Sequence, residues 1–283
     1  MRKIVLNPIG GLANRMRSIV AGLSLARESG RDYEVVWAVN EELAAKMDDI
    51  FILPEDLNSK IIYPSALSYK LQYSIPRRKN LYITALTLRR YSKAFFDAKP
   101  PLSEMMKHSD TPLREIARNP DIDTIFVQAG TIYHPLDKEF YKSIFKLNPE
   151  MQSRVDGAVE LLGKDYIGLH IRRTDNIMAR HYSPDSLFMD KMDEILQINP
   201  DAKFYLATDS DKTKMDFVGK YGNGTVMSSP HSASRTSLDG IKDAVAEMFI
   251  LANASKIYGS FYSSFSEAAA IIGNTPLIQL YKP

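Results

Sequence analysis

The sequence contains no cysteine. That excludes disulfides, thiolate metal ligands and thiol nucleophiles, and it fits a reducing compartment. It contains one tryptophan, and no apolar run approaches the roughly 20 residues of a membrane-spanning helix. Charge of one sign is also lacking: 36 basic and 34 acidic side chains leave +2, so the molecule as a whole is no polyanion binder. The apolar Ile4-Val5-Leu6 after Met1-Arg2-Lys3 is stopped by Asn7 and Pro8, which describes a strand and no signal segment. A cytoplasmic location is the expectation. No repeat or low-complexity tract is present. What remains, 45% hydrophobic and 25% charged over 283 residues, is ordinary globular composition with length for two modest domains.

Hydrophobic periodicity orders those domains. Lys3–Leu6 reads as a first strand, followed by the turn Asn7-Pro8-Ile9-Gly10-Gly11. A helix carries Leu12, Met16, Ile19, Val20, Leu23 and Ala26 and ends at Gly30. Tyr33–Val39 follows as a strand and Glu41–Met47 as a helix, an opening that reads as a Rossmann-like half. The Gly10-Gly11 turn fits either a phosphate cradle or a plain tight βα turn. Thr124–Gln128 is a further strand, and 134–148 bridges the halves.

Residues 149–283 alternate more regularly. Helix 149–162 precedes a short apolar strand ending in His170-Ile171-Arg172-Arg173-Thr174-Asp175. Helix 184–198, strand 203–207, helix 212–220, strand 225–227, helix 239–252, strand 256–258, helix 264–272 and strand 277–281 complete it. Strands alternating with helices imply a parallel sheet covered on both faces. The expected fold class is therefore α/β, with Rossmann-like domains over 1–148 and 149–283 facing a central cleft.

In a parallel sheet all the carboxyl ends lie on one edge, which is where ligands bind. Three polar exits fall there: His170 to Asp175, Ala207-Thr208-Asp209-Ser210-Asp211, and Gly259 to Ser266 with Ser263, Ser264 and Phe265 opening a helix. Adjacent guanidiniums do not belong in a strand unless something neutralises them. Two readings fit Arg172-Arg173: a forked grip on phosphate, or an ion-pair network with Asp175 and other carboxylates. Serines at a helix start cap it or hold phosphate. Asp209 suits a purine N–H edge or a ribose hydroxyl. Together these exits describe a nucleotide diphosphate site.

The same residues resemble a known family. His170-x-Arg172-Arg173-x-Asp175 is similar to the His-x-Arg-Arg-x-Asp signature of the GDP-fucose-using fucosyltransferases, which include the α1,2, α1,6 and protein O-fucosyltransferases. Gly11-Leu12-Ala13-Asn14-Arg15 resembles their N-terminal glycine element, with Ala13 in place of a glycine. Ala207-Thr208-Asp209 and Ser263-Ser264-Phe265-Ser266 resemble two further elements, in family order. The resemblance implies a GT-B fold and an inverting, metal-independent transfer of L-fucose from GDP-fucose, with no further cofactor. It implies that Arg173 holds the β-phosphate, that His170 and Arg172 support the nucleotide and order the loop, and that Asp209 contacts guanine. Ser210, Ser263, Ser264 and Phe265 would line the donor, with Gly11, Asn14 and Arg15 approaching from the first domain. A glycan or glycoconjugate hydroxyl is the implied acceptor.

Several points stay open at this level. Asp175, Asp239, His181 and Glu267 are all candidates for the base that takes the acceptor proton, and Asp239 also suits a helix cap. Asp209-x-Asp211 imitates a divalent-metal pair, so a metal-dependent transferase is an alternative, as is a nucleotide-sugar binder without turnover. Asp121-x-Asp123 has the same spacing but precedes its strand. Between Lys60 and Lys99 stand nine basic residues against Asp97, interleaved with tyrosines, inside a basic insertion over 55–120. That stretch reads as a solvated surface or as a face for an acceptor or a membrane surface. A single-stranded nucleic acid would also use basic and aromatic residues, but no nucleic-acid motif accompanies them, and none is expected as a partner.

Overall fold

A computed structural model describes residues 2–73, 91–96, 113–174, 176–230 and 234–282. The chain forms two compact units, Met1–Lys146 and Leu147–Pro283. Asp175 and most of the basic segment, including Arg77, Arg78 and Lys79, lie outside the described residues.

The first unit is a parallel sheet of β1 (Lys3–Pro8), β2 (Asp32–Val36), β3 (Ile61–Ile62), β4 (Lys93–Phe96) and β5 (Thr124–Ala129), in the order β3-β2-β1-β5-β4. β1 and β5 are buried almost throughout, as central parallel strands require. Helix α1 (Leu12–Ser29) lies close against β1: a Cβ added at Gly22 would come 2.3 Å from a Leu6 methyl. Its left-handed end at Gly30, φ 61°, is the stop that the glycine signalled. Beyond β3 come α2 (Ala66–Gln72), α3 (Leu113–Arg118) and, within the stretch expected only to bridge the halves, α4 (Lys138–Ile144). β4 was hidden inside the segment that sequence patterning left unassigned.

The helix expected over Glu41–Met47 does not form. Asn40 Oδ1 accepts from the backbone N–H groups of Glu42 and Leu43 at 3.0 and 3.2 Å, Asp49 does the same for Lys46, and Trp37 Nε1 holds the Ala45 carbonyl. Side chains take the backbone groups that a helix would need.

The second unit repeats the plan. Strands β6 (Ile167–Ile171), β7 (Phe204–Thr208), β8 (Val226–Ser228), β9 (Lys256–Ser260) and β10 (Leu277–Leu280) pair in parallel in the order β8-β7-β6-β9-β10. Helices α5 (Pro149–Leu162), α6 (Ile177–Tyr182), α7 (Asp185–Ile198), α8 (Asp211–Tyr221), α9 (Leu238–Ala252) and α10 (Ser264–Gly273) connect them. α6 was not anticipated. Period-two alternation sorts β6: Ile167, Leu169 and Ile171 pack with Phe188, Met192 and Phe217 of α7 and α8. Gly168 faces the opposite side, where a Cβ would meet Leu251 of α9 at 2.8 Å, and His170 shares that side. The order of this sheet reverses between β6 and β9, which defines a topological switch point.

Candidate functional site

At that switch point the exits of β6 and β9 are tied together. The Arg172 backbone N–H donates to Ser260 Oγ at 3.0 Å. Asn176 Nδ2 donates to the carbonyl of Tyr262 at 3.0 Å, while its Oδ1 caps α6 at Ala179 N. Tyr262 itself stands at φ 56°, a costly conformation for a non-glycine residue and one that functional turns often store. It leads directly into Ser263, Ser264 and Phe265. Ser263 is the extended N-cap of α10, and its side chain makes no capping bond.

His170 closes the inner side. It is 4% exposed, and its ring stacks on Phe265 at 4.8 Å between centroids. Burial, helped by the neighbouring Arg172 charge, pulls its pKa down to about 3, so the ring is neutral. Its Nδ1 has no hydrogen-bond partner among the described residues. His170 thus works as a polar-edged wall.

Both arginines are held by carboxylates. Arg172 Nη1 lies 2.8 Å from Asp209 Oδ2, with the two side chains 19% and 11% exposed. Asp209 also accepts from the backbone N–H of Arg173 at 2.7 Å, from Thr174 N at 3.0 Å and from the Thr174 hydroxyl. Burial opposes ionisation of Asp209, but Arg172 and the Thr174 and backbone donors together outweigh it, and its pKa lies below the ordinary carboxylate value. Oδ2 is saturated by three donors, whereas Oδ1 receives one and keeps room for another. Asp209 therefore anchors the 172–174 loop before it reads any ligand.

Arg173 pairs with Asp185, the first residue of α7, through Nε at 2.8 Å and through Nη2. Nη1 donates to the Arg172 carbonyl at 2.8 Å. A guanidinium has five N–H donors; among the described residues three are engaged here and one remains on each terminal nitrogen. An ion-pair network and a phosphate grip are thus compatible: Asp185 fixes the fork and leaves two prongs. Asp185 was not among the sequence candidates. Its only signal was an acid after Ser183-Pro184 at a helix start, which reads first as a dipole partner.

The remaining candidates sort more simply. Ser210 caps α8, accepting from Thr213 N at 3.2 Å. Asp211 sits in the first turn of that helix, and Asp209 is already neutralised by Arg172, so the pair is poorly suited to share a cation. Ser237, and not Asp239, caps α9 through Gly240 N. His181 is exposed on α6, and Glu267 lies in the first turn of α10.

In the first unit the glycine element behaves as a structural turn. Gly10, at φ 83°, gives its N–H to Glu42 Oε2 at 2.9 Å, which puts an acid where a phosphate cradle needs an open donor. Arg15 is 1% exposed; it donates to the carbonyls of Gly10 and Ala38 and to Asn40 Oδ1, and its guanidinium lies 5.2 Å from the Trp37 ring centroid. Burial lowers its pKa to about 10. Arg15 braces the turn from within, with its Nε and both terminal nitrogens bonded inside the unit. Gly11, the N-cap of α1, and Asn14 remain partly exposed.

No family model matches the sequence, and no curated relative is found by sequence comparison. Solved structures do resemble it in shape. An α1,6-fucosyltransferase, NodZ, co-crystallised with GDP superposes with a TM-score of 0.63 at 19% identity, covering 98% of this chain and 94% of that one. A point mutant of Arabidopsis thaliana FUT1 in complex with GDP gives 0.65 at 16% identity, over 100% and 70% of the two chains. POFUT1 in complex with GDP gives 0.56 at 12% identity, over 99% and 98%. The chain has the fucosyltransferase fold. The fold is GT-B-like, with a parallel α/β sheet in each unit, and the match to NodZ and POFUT1 extends over nearly the whole of each chain. Within the fucosyltransferase fold, the four sequence elements noted above occupy the β1–α1 turn and the exits of β6, β7 and β9.

Proposed function

We propose that the protein is a fucosyltransferase that moves L-fucose from GDP-fucose to a hydroxyl of a glycan or glycoconjugate, with inversion and without a metal. The observation that carries this reading is the switch point of the second unit. There Arg173 keeps two N–H prongs at the exit of β6, and the neighbouring exit of β9 opens α10, whose N-cap side chain makes no capping bond, in a fold shared with fucosyltransferases solved with GDP.

The chemistry follows from charge. Breaking the bond between fucose and diphosphate puts negative charge on the β-phosphate. Arg173, pre-set by Asp185, and the N–H groups opening α10 are donors that need no reorganisation to receive it. Neutral His170, stacked on the Phe265 ring, adds no competing charge at the inner wall, and its burial keeps water from that side, which strengthens those interactions. The acceptor hydroxyl needs a base, for which Asp175, His181, Glu267 and Asp239 are the candidates. The first unit is assigned the acceptor side; its basic, tyrosine-rich stretch over 60–99 is read as a solvated surface, with a face for an anionic acceptor or a membrane surface as the alternative. A cytoplasmic setting goes with this reading. Among the described residues no helix is long and apolar enough to cross a membrane.

A ligand that binds only the native state raises its melting temperature. In a screen of GDP-fucose, GDP-mannose and UDP-sugars, GDP-fucose should raise the Tm, UDP-sugars should not, and turnover should survive a chelator. A response to UDP-sugars alone would overturn the donor assignment.

A further inference from the structure

Three side chains from three elements converge on Ser229, the first residue beyond β8. Lys214, on α8, donates from Nζ to the Ser229 carbonyl at 3.1 Å. The Tyr205 hydroxyl, on β7, lies 3.0 Å from Ser229 Oγ. Glu247, on α9, hydrogen-bonds the same Ser229 side chain, and its Oε1 stands 4.0 Å from Lys214 Nζ. All three are buried, while Ser229 is partly exposed. Burying a lysine and a glutamate is costly, and apolar side chains of similar size would fill the space at less expense. Glu247 Oε1 even goes without a hydrogen bond. An arrangement that costly is informative about the one thing it fixes, the backbone leaving β8.

The position of that backbone gives it a meaning. Ser228 pairs with Leu206, so Ser229 flanks the β7 exit that ends at Asp209. In a half-domain with this strand order, the diphosphate lies at the switch point and the nucleoside extends over the exit of the second strand. The exit of the third strand, here Ser229, then bounds the base. Its carbonyl keeps a second lone pair beside Lys214, which suits the N–H donor edge of guanine.

We propose that Lys214, Glu247 and Tyr205 are positioning residues that clamp Ser229 as the base-side wall of the nucleotide site. The clamp rests on the nucleotide reading above, and two probes separate the two. GDP needs both the switch point and the wall, whereas inorganic pyrophosphate needs only the switch point. Calorimetric titration should show Lys214→Met weakening GDP about ten- to a hundredfold and Tyr205→Phe about three- to tenfold, the loss expected for a charged and a neutral hydrogen bond respectively. Pyrophosphate affinity should stay at the wild-type value in both. A folded variant that binds GDP normally, or that loses GDP and pyrophosphate in parallel, overturns the clamp. Should Lys214→Met fail to fold, Tyr205→Phe, which removes one hydroxyl and keeps the ring, decides alone. Wild-type protein that binds neither probe defeats the nucleotide reading itself and the clamp with it.

Discussion

Arg173→Ala should slow GDP release from GDP-fucose on the order of 100- to 1,000-fold while the protein stays folded. On the proposed reading the side chain is a donor aimed at charge that grows during the reaction, so its loss appears in kcat as well as in binding. Removing it also leaves Asp185 without its partner. That carboxylate is 31% exposed, so water solvates it and the melting temperature should fall only modestly. Arg173→Lys keeps the charge but cannot hold Asp185 through Nε and Nη2 while offering two further N–H groups, and it should recover little activity. Measuring melting temperature beside kcat for both variants checks this. A purely structural Arg173 would give the reverse pattern, with a lower Tm and near-normal turnover in the folded fraction.

The second large effect concerns Asp209, and it falls on stability. Arg172, the Arg173 N–H and the Thr174 N–H and hydroxyl all converge on this carboxylate. Asp209→Ala removes the carboxylate on which Arg172 and the 173–174 backbone converge, at a cost on the order of 3 kcal/mol. Asp209→Asn keeps the shape but loses the charge and should fall between. The pH dependence has a fixed sign. A folded pKa below the unfolded value means that the stabilisation is fully present above the unfolded carboxyl pKa, about 3.9, and is lost as pH falls below it. Wild-type protein should therefore lose stability relative to Asp209→Asn between about pH 4 and the lower folded value. Thermal unfolding of both across that range checks it. A base-contacting Asp209 with no anchoring role would instead give Asn a wild-type Tm and only weaker nucleotide affinity.

Much of the second unit was legible because buried parallel strands are written as short apolar runs, and their polar exits are conspicuous. His170, Arg172, Arg173, Asp209 and Ser263 to Phe265 all lie at exits of neighbouring strands for that reason. What could not be read was the choice of partner. Asp185, Glu247 and Lys214 lie on helices whose acids and lysines read as solvent-facing, and only tertiary packing turns them inward. The same holds for Arg15, whose acceptors include the carbonyl of Ala38 and the side chain of Asn40, groups that no motif encodes. Glu41 to Met47 is built of good helix formers, yet Asn40, Asp49 and Trp37 take its backbone groups, so tertiary context overrides propensity. Strand β4 was missed because it lies in a basic, aromatic segment whose periodicity is weak.

The most direct test of the central claim is a crystal structure of the protein soaked with GDP. The diphosphate should lie within hydrogen-bonding distance of the Arg173 guanidinium and the first N–H groups of α10, with the base directed over the exit of β7. GDP bound elsewhere, or a diphosphate that touches neither Arg173 nor the start of α10, would contradict the account.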